Sequence, residues 1–381
     1  MWPVAAGLLL SLGACGRGEV EHSFSSVPGA PVKLSDVPIL VVGERPGDPD
    51  HELFAVRMPF LLPDGGLGVP LSSDATIRLY DTNGDFVGSL GSEGEGPGEF
   101  VRLSAAWARG DTVEAFDSGL NRITRFVPGS EPETVMLEGV ASAQVAVPGL
   151  VDGSWILYGV QEVLASGRDV IVVHRFASDG RHMGTLQQTK GFRRHVFPSG
   201  GGPDPISPRA LVRTGKRSVY VAETLTPRVA VRDVLNEESW TVEWTMGPTI
   251  SGGDAVRIAQ EGLTSSGLSE GEQSWTLSSF NALSGDEEAS VFWDFLVDGE
   301  EFLWVRDYDP AIHAVHAGGL GRTGPGGVWS VFDRGGAKVA EVTVPEDFEP
   351  LSIDSDYVIG IRRDELDVES VRVYRVERSG A

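Results

Sequence analysis

From about residue 38 onward, apolar and polar positions alternate in runs of five to eight residues, separated by Asp-Gly, Asn-Gly and Gly-Asp pairs. A period of two punctuated in this way predicts strands joined by tight hairpins. Sustained helical periodicity is nearly absent. The stretch Trp107-Ala108-Arg109-Gly110-Asp111-Thr112-Val113-Glu114-Ala115-Phe116-Asp117, followed by Asn121-Arg122-Ile123-Thr124-Arg125-Phe126, reads as strand, turn, strand, loop, strand. Its closing part returns at Ile77-Arg78-Leu79-Tyr80, Val172-Val173-His174-Arg175-Phe176 and Trp329-Ser330-Val331-Phe332, more weakly at Arg228-Val229-Ala230-Val231, and last at Val371-Arg372-Val373-Tyr374. The aromatic closers Tyr80, Phe126 and Phe176 are 46 and 50 residues apart, and Phe332 and Tyr374 are 42 apart. Repeats of that length are single four-stranded propeller blades. The 101 residues from Val231 to Phe332 offer only one strand pair, Phe292 to Val297 with Phe302 to Val305. The pattern therefore predicts an all-β, six-bladed β-propeller with one mostly helical or irregular insertion at about residues 247–288.

The last repeat supplies three strands, and an unpaired edge invites aggregation. The run Pro38-Ile39-Leu40-Val41-Val42 is available to close the ring, which places the propeller at residues 38–378. Trp107, Trp155, Trp293, Trp304 and Trp329 recur within strands and are expected to fill the space between blades.

The residues Phe100, Gly110-Asp111, Asp117-Ser118 and Asn121-Arg122-Ile123-Thr124-Arg125-Phe126 are similar to the NHL repeat. With Gly91 to Phe100, Leu303-Trp304-Val305 and Arg363 to Val371, the chain resembles an uncharacterised family of bacterial six-bladed β-propellers, many of them lipoproteins. That resemblance implies a fold and brings no assigned chemistry.

The first 14 residues are uncharged and almost wholly apolar, too short to span a bilayer. They read as a secretory signal ending at the only cysteine, and Leu12-Gly13-Ala14-Cys15 resembles the bacterial lipobox. The expectation is a signal peptide over residues 1–14, lipidation at Cys15 and a tether over residues 15–37. The protein would then sit in the bacterial cell envelope, membrane-anchored and facing the periplasm or cell exterior. The alternative is an apolar N-terminal strand with a buried thiol.

Composition narrows the partners. Asp and Glu number 55 against 31 Lys and Arg, a net charge of −24, which opposes general nucleic-acid binding. Within that acidic background Phe192-Arg193-Arg194-His195-Val196-Phe197 stands out. Arg193, Arg194, Arg209 and Arg306 are the candidate ligand-binding residues, all on loops expected to gather on one face. They would take an anionic small molecule, a glycan or a peptide segment of a protein partner. No metal or cofactor is called for by this reading. The competing one is a hydrolase or lyase holding Ca²⁺ or another divalent metal on the axis through Glu99, Asn121, Glu223 and Asp307.

Other motifs have plainer readings. Gly94-Glu95-Gly96-Pro97-Gly98 lacks the helix and Lys of a phosphate loop and reads as an inter-blade turn. Gly267-Leu268-Ser269-Glu270-Gly271 matches the serine-hydrolase elbow, but Ser269 with Glu272 makes a better helix capping box. Asp81-Thr82-Asn83-Gly84-Asp85 reads as a hairpin turn rather than a calcium loop, and His313 and His316 as loop histidines.

Overall fold

The alternating runs form strands that sort into six antiparallel sheets. The computed structural model describes residues 32–139, 143–162, 167–197, 200–247, 249–266, 268–317, 326–364 and 368–378, so Cys15 and the signal-like run lie outside the described residues. Blade one comprises Phe60–Leu61, Leu67–Leu71, Thr76–Tyr80 and Phe86–Leu90. Blade two comprises Leu103–Arg109, Thr112–Asp117, Arg122–Phe126 and Glu133–Met136. Blade three comprises Val145–Val147, Trp155–Glu162, Arg168–Phe176 and His182–Phe197, with Gly200–Pro203 added outside. Blade four comprises Ala210–Thr214, Ser218–Glu223, Arg228–Asp233 and Glu238–Glu243. Blade five comprises Phe292–Val297, Leu303–Asp307, Gly327–Phe332 and Lys338–Val344. Blade six has three strands of its own, Phe348–Ile353, Tyr357–Arg363 and Glu369–Arg378.

Its fourth strand comes from the other end of the chain. Leu40–Val42 pairs antiparallel with the last strand, Leu40 opposite Val373 and Val42 opposite Val371. The pairing also begins upstream of the expected boundary at residue 38. Val32–Leu34 covers the far end of the same strand, Val32 opposite Arg378 and Leu34 opposite Val376. A ten-residue strand is longer than Leu40–Val42 can cover, and the second segment satisfies the N–H and C=O groups left over.

Among the described residues six hydrophobic clusters sit between neighbouring blades and complete the ring. Trp107 and Trp155 meet between blades two and three, for instance, and Trp304 and Trp329 pack against Phe348 and Tyr374 between blades five and six. All five strand tryptophans are buried, as are the closers Tyr80, Phe126, Phe176, Phe332 and Tyr374. The hairpins that follow the closers explain the recurring glycine. Gly180 and Gly336 have φ of +89° and +83°, and a Cβ there would lie 2.1 Å from the Met136 carbonyl and 1.9 Å from the Glu243 carbonyl. Each turn thus packs on the outer strand of the preceding blade, where only glycine fits.

The insertion carries two helices, α1 (Gly252–Gly262) and α2 (Glu270–Asn281). Ser269 caps α2 in a full capping box with Glu272, so its side chain serves the helix. A third helix, α3 (Pro310–Ala317), interrupts blade five between its second and third strands, so the expected loop histidines lie on a helix. The His313 ring stacks on Trp293 at 4.6 Å and accepts the Asp309 backbone N–H through Nδ1 at 2.8 Å. A seventh cluster, including Ala255, Phe280, Trp293 and Val315, joins the helices to blade five.

Candidate functional site

The first strands of successive blades contact one another around the axis, so the residues they carry surround the central opening. Three of these strands bring charge there. Arg213 of blade four reaches Asp294 of blade five, Nη2 to Oδ1 at 2.7 Å, and the same oxygen accepts the Phe295 N–H. Glu349 of blade six meets Arg363 at 3.0 Å, which in turn holds Glu369 at 2.8 Å. Arg209 lies over Trp293 at 3.7 Å and donates to its carbonyl. Burial depresses the Arg209 and Arg306 guanidiniums, and the Asp294 and Glu349 carboxylates oppose that shift. Tyr158 of blade three lies within the field of Arg213, Asp294 and Arg209, and burial pushes its hydroxyl up. Burial outweighs the pull of Arg363 on Glu349 and pushes that carboxyl up to about 7. Among the described residues the guanidiniums of Arg209, Arg213, Arg306 and Arg363 share this region with the carboxylates of Asp294, Glu349, Glu369 and Asp309, of which Glu349 exchanges its proton near neutrality.

Of the four arginines nominated by the sequence, the structure puts only Arg209 and Arg306 in this region. Arg193 lies 3.9 Å from Asp204 and 3.7 Å from Glu288. Burial pushes the Asp204 carboxyl up to about 6, with Arg193 and the Ile206 N–H opposing. Arg194 grips Asp169, with Nε 2.9 Å from both carboxylate oxygens and Nη2 at 2.8 Å. Asp169 is almost fully buried, so these two arginines hold the extended strand of blade three and correct the expectation of a free cationic loop.

The four proposed metal ligands do not converge. Glu99 accepts the Gly96 N–H at 2.7 Å and belongs to the turn of Gly94 to Gly98, which Arg122 fastens through three carbonyls. Asn121, with φ of +52°, donates to the Leu137 carbonyl within blade two. Glu223 is bound by Arg168 at 2.9 Å between blades three and four. Asp307 ends the second strand of blade five, where Lys338 and Glu341 act on it. Among the described residues no three His, Cys, Asp or Glu side chains are placed to hold one metal ion. Each of the four is a turn or strand-end residue with partners of its own, and sharing a face does not bring such groups together.

Arg213, Asp294 and Glu349 were not singled out from the sequence. A signal existed for two of them: Asp294 interrupts the apolar run Phe292 to Val297, and Glu349 follows a buried aromatic, Phe348. A charge inside a strand core needs a partner.

No protein-family model and no curated protein matches the chain. Solved structures do. The chain is similar to a Bacteroides fragilis protein named for its expected export, with a TM-score of 0.53, 13% identity, and coverage of 91% of this chain and 95% of that one. It is also similar to a member of the DUF4221 family from Bacteroides vulgatus, with a TM-score of 0.51, 9% identity, and coverage of 92% and 99%. At these identities the likeness concerns the fold, and it agrees with the resemblance to bacterial propellers drawn from the repeat.

Proposed function

We propose that the protein is an extracytoplasmic binding module, lipid-anchored through Cys15, whose propeller takes an anionic small molecule, glycan or acidic peptide segment near its axis. The observation that carries this reading is the gathering of four guanidiniums, of Arg209, Arg213, Arg306 and Arg363, around a carboxyl, Glu349, pushed up to about 7, in a chain of net charge −24. A local cationic spot inside an acidic surface concentrates small anions while its surroundings repel large polyanions. Arg193 and Arg194 drop out, because their charges serve Asp204, Glu288 and Asp169. Export is supported by the apolar leader before Leu12-Gly13-Ala14-Cys15 and by the naming of the Bacteroides fragilis neighbour.

Two measurements test it. Cys15→Ser should abolish labelling by a fatty-acid analogue and release the protein from membranes, and unchanged membrane association would refute the anchor. Anisotropy of a labelled acidic oligosaccharide should report binding that its neutral counterpart lacks and that Arg209→Gln weakens. Equal binding of both sugars would refute the anionic ligand. A second reading, a hydrolase or lyase, draws on Glu349 alone: a buried carboxyl that titrates near 7 suits a general acid or base.

A further inference from the structure

A cleft of about 390 Å³ opens between blades three and four, within the ~300–1,000 Å³ usual for ligand sites. Its lining is mixed: Val221, Ala222, Leu225 and Ala230 are apolar, and Gln187, Gln188, Thr226 and Thr241 are polar. Lys190 lines it from blade three and Arg228 from blade four. Both are exposed, and among the described residues neither has a carboxylate within ion-pair distance. Glu243 stands opposite Arg228 in the strand ladder without closing on it.

Among the described residues one acid lines the cleft, and its charge is already met. Glu223 accepts from Arg168 Nη1 at 2.9 Å and from the Thr189 hydroxyl and the Lys190 N–H at 3.0 Å each. Burial would raise this carboxyl, but these donors hold it below the ordinary carboxylate range. Arg168 is buried against the Gly191 and Lys190 carbonyls and cancels Glu223. What remains in the cleft is the field of Lys190 and Arg228, tempered at Arg228 by Glu243 across the ladder.

We propose that this cleft binds a small hydroxylated carboxylate of the sugar-acid or hydroxy-acid class. The carboxylate lies between Lys190 and Arg228, where charge-assisted hydrogen bonds are strong and the guanidinium offers two parallel donors. The hydroxyls meet the amides of Gln187 and Gln188 and the hydroxyls of Thr226 and Thr241. No aromatic ring is among the lining residues, so a flat aromatic acid gains no stacking partner there. This site is separate from the axial one, whose arginines do not line it.

Calorimetric titration with D-glucuronate tests the proposal, with D-glucose as the neutral counterpart and inorganic phosphate as the bare anion. Glucuronate should bind, more weakly as salt rises, and glucose and phosphate should bind at least about tenfold more weakly. Lys190→Gln and Arg228→Gln should each cost roughly tenfold and the double variant should abolish binding, with melting temperatures unchanged. No glucuronate binding to the wild type, or binding undiminished in the double variant, would overturn the cleft. Phosphate or glucose binding as well as glucuronate would overturn the ligand class. Binding lost in Arg306→Gln but kept in the double variant would also overturn the cleft, while leaving the axial reading in place.

Discussion

The axis and the blade three to four cleft are both cationic, but their charges are held in opposite ways. At the axis, the guanidiniums of Arg209, Arg213 and Arg363 are partly or fully buried and tied to Asp294, Glu349, Glu369 or the Trp293 ring and carbonyl. In the cleft, Lys190 and Arg228 are exposed, and the pair beside them, buried Arg168 with half-buried Glu223, is self-neutralising. Removing one partner of a buried pair leaves a charge without solvent or counterion, whereas removing an exposed cation leaves water in its place. The Arg213–Asp294 pair therefore contributes to the stability of the ring as well as to the axial field, and the cleft charges contribute almost only to binding.

The strongest way to break this contrast is to open the ring. Deleting residues 32–42 bares the edge of the last strand and removes the buried Leu34, Leu40 and Val42, an effect on the order of 5 kcal/mol from roughly 1.5–3 kcal/mol per side chain. Hydrogen exchange should accelerate first in blade six, where Glu349, Arg363 and Glu369 sit, while blades three and four stay protected. Uniform loss of protection would mean the two regions are not separable. Asp294→Ala strands Arg213 and should cost about 3 kcal/mol in denaturant unfolding, and a loss below about 1 kcal/mol would show that axial charges are as dispensable as surface ones.

Glu349→Gln sharpens the comparison through pH. Its folded value near 7 lies above the ordinary 4.5, so ionising it costs the fold stability. That cost is absent below about pH 4.5, grows by roughly 1 kcal/mol per unit up to about 7, and is constant above. The stability of the Gln variant relative to wild type should rise between pH 5 and 8, and a flat difference in thermal melts would contradict the assignment. The smallest effect is expected from Lys190→Gln with Arg228→Gln, within about 0.5 kcal/mol of wild type. A larger loss would place these cations in the framework of blades three and four.

Most of the fold was legible because the blade repeats its local physics. Tyr80, Phe126, Phe176, Phe332 and Tyr374 close their blades as buried residues. Asp81 takes the Asn83 and Asp85 N–H groups within the expected hairpin turn. Interruptions were harder to see. Pro310–Ala317 is short, and its helical face is shared with Trp293 and the insertion, so its own pattern is weak. Val32–Leu34 has no turn or repeat to mark it, and only the length of the strand it covers calls it into the sheet.

For the candidate site the division is sharper. Alternation, turn residues and the spacing of aromatics act over a few residues, so the sequence by itself determined six blades, the closing strand at Leu40–Val42 and the capped helix after Ser269. Which cations are spent and which remain open was decided only in three dimensions. Arg213 and Asp294 are 81 residues apart and Arg168 and Glu223 are 55 apart. Each of these pairs joins two different blades, and the energy of an ion pair depends on distance and burial across that packing, which no local period records.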